Sequence, residues 1–306
     1  MATEKKLHVE LIRHTMSPEE TIALGAKLCY SKATIESLKE KIEQKDQSAF
    51  IARLMDMGHE SVLEHATFTF GIEGVSRALL AQITRHRIGA SFSVQSQRYV
   101  SYENGFGYII PPRIEALGEE AVKKYREQMA TIESWYKEWQ AALGKNGESS
   151  NEDARFVLPN ACETRMLVTM NVRELRHFFS LRMCSRAQWE IRALATEMHR
   201  LCMGVAPELF ANAGPACLRG KCPEGEKSCG KANEIRNARR NMLAFLLNTS
   251  AEEMKELKAG DVFYVRGERH TAQSDSHPSG DASCDGYIVY DESGKGWFET
   301  DFELPY

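Results

Sequence analysis

The sequence predicts an α+β fold, with mixed helices around a mainly antiparallel sheet and a small β-rich C-terminal extension. Three observations carry the prediction. Apolar residues alternate at period two over 7–12, 66–72 and 165–170, which marks strands. Apolar residues at spacings of three, four and seven mark helices between and after them. Beyond about residue 213 the chain changes to Gly214-Pro215, a Gly/Lys/Glu-rich stretch holding Cys217, Cys222 and Cys229, and then short β-like runs. The main body is therefore placed at 1–215, a cysteine-containing loop and helix at 216–250, and the small β-rich extension at 251–306.

Leu7, Val9 and Leu11 line one face of the first strand, which stops at Thr15. Ser17-Pro18-Glu19-Glu20 then combines a serine N-cap, a proline at the first helical position and a glutamate three residues past the cap, so a helix with Ile22, Ala26 and Cys29 on one face follows. Helical spacing recurs at Ile35, Leu38 and Ile42, and at Phe50, Ile51 and Leu54, where Gly58 supplies a left-handed stop. The strand at 66–72 turns Phe68, Phe70 and Ile72 inward, and a helix through Val75, Leu79 and Ile83 delivers Arg85-His86-Arg87 at its end. The strongest helical pattern runs over 114–143 through Leu117, Ala121, Tyr125, Ile132, Trp135, Trp139 and Leu143, closed by a polar loop at 145–151. After the strand at 165–170, Asn171 is an N-cap with Glu174 at the third helical position. Ser185 to Gln188 repeats that pattern ahead of Ile191, Leu194, Ala195, Met198, Leu201 and Cys202. In the tail a helix passes through Ile235, Met242 and Phe245, and the β-like runs are Val262–Val265, Tyr287–Tyr290 and Trp297–Phe302.

Composition excludes several function classes. The 306 residues, 42% hydrophobic and 27% charged with nine prolines, describe a folded protein able to bury a core without disulfides. No apolar run follows Lys5-Lys6 and none approaches the roughly 18 residues of a span, so neither a signal peptide nor a membrane helix is expected. Of eight cysteines, Cys29, Cys162, Cys184, Cys202 and Cys284 stand isolated, which fits a reducing cytoplasm. With 39 basic against 43 acidic residues and a net charge of −4, no global field draws nucleic acid, and any anion site is local.

Chemistry concentrates in two arginine-rich segments. In 82–98, Gln82, Arg85, His86 and Gly89 fall at helical spacings, which sets an amide, a guanidinium and an imidazole side by side. The small, hydroxyl-rich run from Gly89 to Ser96, closed by Arg98, is expected to form a tight loop whose backbone N–H groups suit a phosphate. A solvated helix end whose cations complement the helix dipole is the plain alternative. The second segment, 171–192, carries Arg173, Arg176, Arg182, Arg186 and Arg192 and no lysine. Arginine keeps its charge and offers a rigid fork to carboxylates, phosphates and imide carbonyls. Arg182 stands among Phe178, Phe179, Leu181 and Met183, where a guanidinium needs an anionic partner: a ligand, or Glu174 or Glu190. His59 and His65 are six apart, not four, so the zinc-protease pattern fails. Cys217, Cys222 and Cys229, at spacings of five and seven, fit tetrahedral zinc poorly, and no metal site is expected.

Taken in order, four blocks resemble the flavin-dependent thymidylate synthases. They are His59-Glu60-Ser61 with Glu64-His65; Arg85-His86-Arg87 followed nine residues later by Ser96 in Ser96-Gln97-Arg98-Tyr99; Ala154 to Pro159; and Asn171 to Arg182 with Ala187-Gln188-Trp189-Glu190-Ile191-Arg192. The resemblance covers roughly 1–215. It implies a homotetramer with active sites at subunit interfaces, FAD bound across chains, and conversion of dUMP to dTMP with methylenetetrahydrofolate as methylene donor and NADPH as reductant. By position it implies FAD contacts from Ser61, Arg85, His86, Arg87, Asn171, Arg173 and His177, and dUMP contacts from Gln82, Arg85, Ser96, Gln97, Arg98, Arg155 and Arg182. It also sets His59 near the folate and flavin, so that Arg182, Ser96 and His59 are the residues expected at the reacting groups. Two departures stand out. The arginine-to-serine spacing is one residue longer than the commoner form, and Val94 stands where members often carry a Glu or Gln against the flavin.

The residue chemistry agrees with the resemblance. Uracil C5 is a poor nucleophile, activated either by a thiolate adding at C6 or by electrostatic support of the N3-deprotonated ring. Cys184 is the one cysteine within the two segments and lies roughly across the helix from Arg182, so no cysteine nucleophile is expected. Ser96 is read as a positioning hydroxyl, with no histidine-carboxylate pair evident to activate it. Two other readings stay open: another folate- and flavin-dependent methyl or hydroxymethyl transferase acting on a pyrimidine nucleotide, and a single-strand nucleic-acid binding module using Arg85, Arg87 and Arg98 with Phe92 or Tyr99. Net acidity disfavours the second.

Overall fold

The computed structural model describes residues 1–247, 254–265, 268–278 and 287–298. The chain divides into two compact units, Met1–Ala216 and Cys217–Tyr306. In the first unit the strands are β1 (Thr3–Glu4), β2 (His8–His14), β3 (Thr67–Ser76), β4 (Ala90–Val94), β5 (Gly107–Tyr108) and β6 (Glu163–Asn171). Its helices are α1 (Pro18–Leu28), α2 (Ile35–Glu43), α3 (Ser48–Asp56), α4 (Arg77–Ile83), α5 (Pro112–Glu115), α6 (Glu119–Ala142), α7 (Glu148–Ala154), α8 (Val172–Arg182), α9 (Trp189–Met203) and α10 (Pro207–Phe210).

The frame is an antiparallel sheet in the order β2-β3-β6-β4, while β1 and β5 form a separate parallel pair. Alternation along β3 buries Phe68, Phe70 and Ile72, and β6 adds Val168 and Met170 to the same core. Phe210 of α10 meets Phe68 edge-on at 5.5 Å and Phe179 of α8 at 6.0 Å, so this face of the sheet is closed by helices. Each such buried side chain contributes about 1.5–3 kcal/mol. The alternate residues Arg165 and Leu167 on β6, and Ser91 and Ser93 on β4, stay exposed. A bulge between Ile72 and Val75 bends β3, and Gly74 takes φ +66° there; a Cβ at Gly74 would strike the carbonyl oxygen of Lys6, so only glycine fits.

Several local expectations are corrected by packing. Ser17 has φ 43° and makes no side-chain cap, and Cys29 is exposed just past the end of α1. Val75 belongs to β3; α4 begins two residues later, where the Ser76 hydroxyl accepts from the Leu79 N–H at 3.1 Å. The pattern over 114–143 is broken at Gly118, and Leu117, Trp135 and Trp139 are exposed. The buried face of α6 carries Met129, Glu133, Tyr136 and Gln140 instead. Polar partners make that burial tolerable: Lys137 donates to Glu133 at 2.7 Å, and Tyr136 and Gln140 donate to Asn151 Oδ1 at 3.2 and 2.5 Å. The polar loop is shorter than expected, because α7 begins at Glu148. The cap of α9 is Gln188 and not Ser185, its amide oxygen accepting from the N–H groups of Glu190 and Ile191 at 3.0 and 3.1 Å.

In the second unit, α11 (Ala232–Leu247) is followed by the hairpin β7 (Val262–Val265) and β8 (Glu268–Thr271), and by β9 (His277–Pro278), β10 (Tyr287–Tyr290) and β11 (Gly296–Phe298) in the order β11-β10-β9. Met254, Leu257, Phe263, Val265, Ala272, Val289 and Trp297 form its core. The run expected at Trp297–Phe302 lies outside the described residues beyond Phe298. No described helix is long and apolar enough to cross a membrane.

Candidate functional site

The predicted site residues fall into two groups at opposite ends of β6. At its Asn171 end, the Asn171 side-chain oxygen accepts from the Glu174 N–H at 2.8 Å and starts α8. Glu174, thus placed one turn in, turns its carboxylate to His86, with Oε1 2.7 Å from Nδ1. The other ring nitrogen, Nε2, lies 3.0 Å from Arg182 Nε at the far end of α8. A guanidinium nitrogen donates only, so Nε2 accepts, the ring is neutral, and Nδ1–H donates to Glu174. His86 and Glu174 are buried and Arg182 is half-buried, its Nη2 reaching the Gln82 carbonyl at 3.5 Å.

Arg182 has no carboxylate within ion-pair distance among the described residues: Glu174 serves His86, and Glu190 accepts from the Ser76 N–H and hydroxyl at 2.7 and 2.5 Å. Both carboxylates named as its internal partners are therefore committed elsewhere. Burial, and then the charge of Arg85, pull the Arg182 guanidinium below its ordinary value. Arg85 and Arg87, on either side of His86 in the chain, are exposed, and the exposed His177 stands edge-on to His86 at 5.8 Å. Arg173 bonds Glu64 at 2.6 Å and faces Glu60 at 3.8 Å, which brings the short 3₁₀ turn Ser61–His65 to this end. His59 and Ser61 are exposed next to those glutamates.

The loop expected to cradle a phosphate is a strand. Ala90 to Val94 pair with Met170 to Met166 as the edge strand of the sheet, so the backbone groups facing β6 belong to the sheet ladder. Half-buried Ala90, Phe92 and Val94 alternate with exposed Ser91 and Ser93, a period-two signal hidden by the small residues. Gly89 turns the chain into that strand at φ +71°, and a Cβ there would lie 2.5 Å from Asn171 Nδ2.

At the Arg165 end of β6, the Gln95 N–H bonds the Arg165 carbonyl at 2.9 Å and Arg77 Nη2 donates to the Gln95 carbonyl at 2.7 Å. Ser96 Oγ accepts from the Arg98 N–H at 3.1 Å, so its hydroxyl shapes a turn. Arg98 pairs with Glu148 and, at 3.2 Å, with Glu152 of α7, while Asn151 Nδ2 holds its carbonyl at 3.0 Å. Arg155 Nε donates to the Glu152 carbonyl at 3.0 Å, joining Arg155 to this group. Gln97 donates to Cys162 Sγ at 3.4 Å, and burial pushes that thiol up to about 11. Six residue steps from 165 to 171, at about 3.3 Å each, put roughly 20 Å of strand between the two groups.

Sequence reasoning missed Arg77, Asn151, Glu148 and Glu152, which lie outside the motifs, and the role of Glu174, read there as a capping residue or an arginine partner. A histidine-carboxylate pair does exist, His86 with Glu174, but at the far end of β6 from Ser96. Among the described residues no group of three or more His, Cys, Asp or Glu is arranged to hold a metal.

Residues 10–208 match the family model described as thymidylate synthase complementing protein. The chain is 52% identical over 237 residues to the flavin-dependent thymidylate synthase of Geobacter sulfurreducens, covering 77% of this chain and 99% of that protein. It is 46% identical to the one from Clostridium tetani, over 74% of this chain and 95% of that protein, and 42% identical to the one from Pyrococcus furiosus, over 71% and 90%.

Proposed function

The chain belongs to the flavin-dependent thymidylate synthase family, and on that premise we propose that it converts dUMP to dTMP, with FAD as cofactor, methylenetetrahydrofolate as methylene donor and NADPH as reductant. The observation that carries the reading is Arg182: a half-buried guanidinium with no carboxylate partner among the described residues, held by a neutral imidazole beside a second cation, Arg85. Such a fork matches the imide edge of a uracil ring. Loss of the N3 proton gathers negative charge on N3 and the ring oxygens and makes C5 a better nucleophile, and a preformed donor in a poorly screened place stabilises that anion until C5 bonds to the methylene carbon. Gln82 and Arg85 complete the contacts with the nucleotide at this end.

The thiol route has little support from the residues. Cys162 holds its proton far above neutral pH, and Ser96, whose hydroxyl accepts from the Arg98 N–H, stands at the other end of β6 from His86. Ser96, Gln97, Arg98 and Arg155 therefore take the binding role, with the guanidinium groups suited to a phosphate. The donor set at the Asn171 end fits a flavin: Arg87, Arg173, Asn171, Ser61 and His177 offer guanidinium, amide, hydroxyl and imidazole groups, and Gly89 leaves the Asn171 amide the space that a Cβ would take. Held there by these residues, a reduced flavin would supply hydride for the transferred carbon. His59 borders the same group on the folate side.

Two features favour active sites made between copies of the chain, in a homotetramer. Roughly 20 Å of β6 separates the nucleotide-binding groups, more than one nucleotide bridges, and the sheet face bearing Arg165, Leu167, Ser91 and Ser93 is exposed. A cytoplasmic location accords with a nucleotide substrate made there. The test is tritium release from C5-labelled dUMP with methylenetetrahydrofolate and NADPH, together with the visible spectrum of the purified protein. A bound-flavin spectrum and release dependent on both co-substrates are expected; a colourless protein that leaves the label in place overturns the reading.

A further inference from the structure

We infer that Glu174 is a positioning residue for methyl transfer, acting through His86 to set the direction of the Arg182 guanidinium. This rests on the proposed reaction for its consequence, though the hydrogen-bond chain itself does not. Glu174 Oε1, His86 Nδ1 and Nε2, and Arg182 Nε form one line, with 2.7 Å and 3.0 Å links. The line joins the first turn of α8 to its last residue through a side chain delivered by α4. Each link constrains the next. A carboxylate only accepts, so it fixes the imidazole proton on Nδ1 and leaves the Nε2 lone pair for Arg182. With Nε on His86 and Nη2 reaching the Gln82 carbonyl at 3.5 Å, Nη1 is left with no hydrogen bond among the described residues.

Packing supports the same assignment. His86 is 5% exposed and wedged edge-on against Phe178 at 5.0 Å, so the ring has little freedom to turn. Both its nitrogens are used inside the chain, so its hydrogen bonds go to Glu174 and Arg182. Were Glu174 only a helix-starting residue, its backbone N–H bond to Asn171 would suffice, and its carboxylate would not be buried against an imidazole.

The test combines one measurement on the unaltered enzyme with a double-mutant cycle. In a magic-angle-spinning ¹⁵N spectrum of histidine-labelled protein with its flavin, assigned by the signal lost in His86→Gln, His86 is expected as the neutral form protonated at Nδ1. The Nε2-protonated form overturns the proposal, and this readout is taken on the unaltered enzyme and needs no catalysis. In the cycle, Glu174→Gln keeps an acceptor of the same shape but loses the charge that fixes the ring. It is expected to lower kcat for dTMP formation about tenfold, with flavin reduction by NADPH unchanged. Introduced into Arg182→Lys, the same change is expected to cost nothing further, because the line is already broken. Equal, additive losses in both backgrounds mean that Glu174 serves the fold, and overturn the proposal. If the unaltered enzyme leaves dUMP unchanged, the reaction assignment fails while the tautomer result still stands.

Discussion

Arg182 and Arg98 sit at the two ends of β6 and are treated in opposite ways. Arg98 is exposed and carries two carboxylates of its own, Glu148 and Glu152, with its backbone tied to Asn151. Arg182 is half-buried, faces another cation and rests on a neutral ring. A surface ion pair is worth little and opens readily to a competing anion. An uncompensated guanidinium in a poorly solvated place carries a standing cost that only a ligand removes. On the proposed reaction, the difference suits one end to take hold of a phosphate reversibly and the other to act on charge that appears during reaction.

The largest expected effect falls at the uncompensated end. Arg182→Lys keeps the charge but loses the fork, so dTMP formation is expected to fall about a hundredfold to a thousandfold while FAD stays bound and NADPH still reduces it. Flavin bleaching under anaerobic stopped flow, compared with dTMP in the same preparation, checks this; parallel losses place Arg182 in flavin binding or folding. Arg98→Ala is expected to raise KM for dUMP about tenfold with kcat changed much less, since it removes binding common to ground and transition states. A fall in kcat with KM unmoved would erase the contrast between the ends.

Smaller effects come from the elements joining them. Ser76→Ala removes both the cap of α4 and a donor to the buried Glu190, and is expected to cost about 1–2 kcal/mol, read as a lower denaturation midpoint. An unshifted midpoint would show that the cap is dispensable. Cys162→Ala is expected to leave turnover near the parent value and to change the alkaline stability profile. Because the folded thiol titrates at about 11 and the unfolded one near 9.0, its contribution is full below 9.0 and lost as pH rises to about 11. The variant should lack that part of the decline; loss of turnover would reopen a role for the thiol.

The sheet was legible because Phe68, Phe70 and Ile72 alternate cleanly against polar neighbours, and Asn171 with Glu174 announced α8. Helix α6 was legible in extent and not in orientation. Its tryptophans outweigh Glu133 and Gln140 on any hydropathy scale, yet those polar residues are buried because the Ala2 N–H, Lys137 and Asn151 reach them through tertiary contacts. The run from Gly89 to Ser96 misled for a related reason. Its composition is that of a loop, and only pairing with β6 makes Ala90–Val94 a strand. The motif residues fall at two ends of β6, and one sequence holds no information on which end each occupies. That is decided by the register of β4 against β6 and by the line from Glu174 to Arg182.

On the proposed reaction, the two ends of β6 meet in different copies of the chain. Arg182→Lys and Arg98→Ala chains are co-expressed with distinct tags, purified as mixed assemblies and assayed at dUMP far below KM, where each parent is poorly active. If sites are made across chains, roughly a quarter of them inherit both intact ends, and dTMP formation rises well above the sum of the parents. Activity no greater than that sum would mean that a single chain builds each site, contradicting the account.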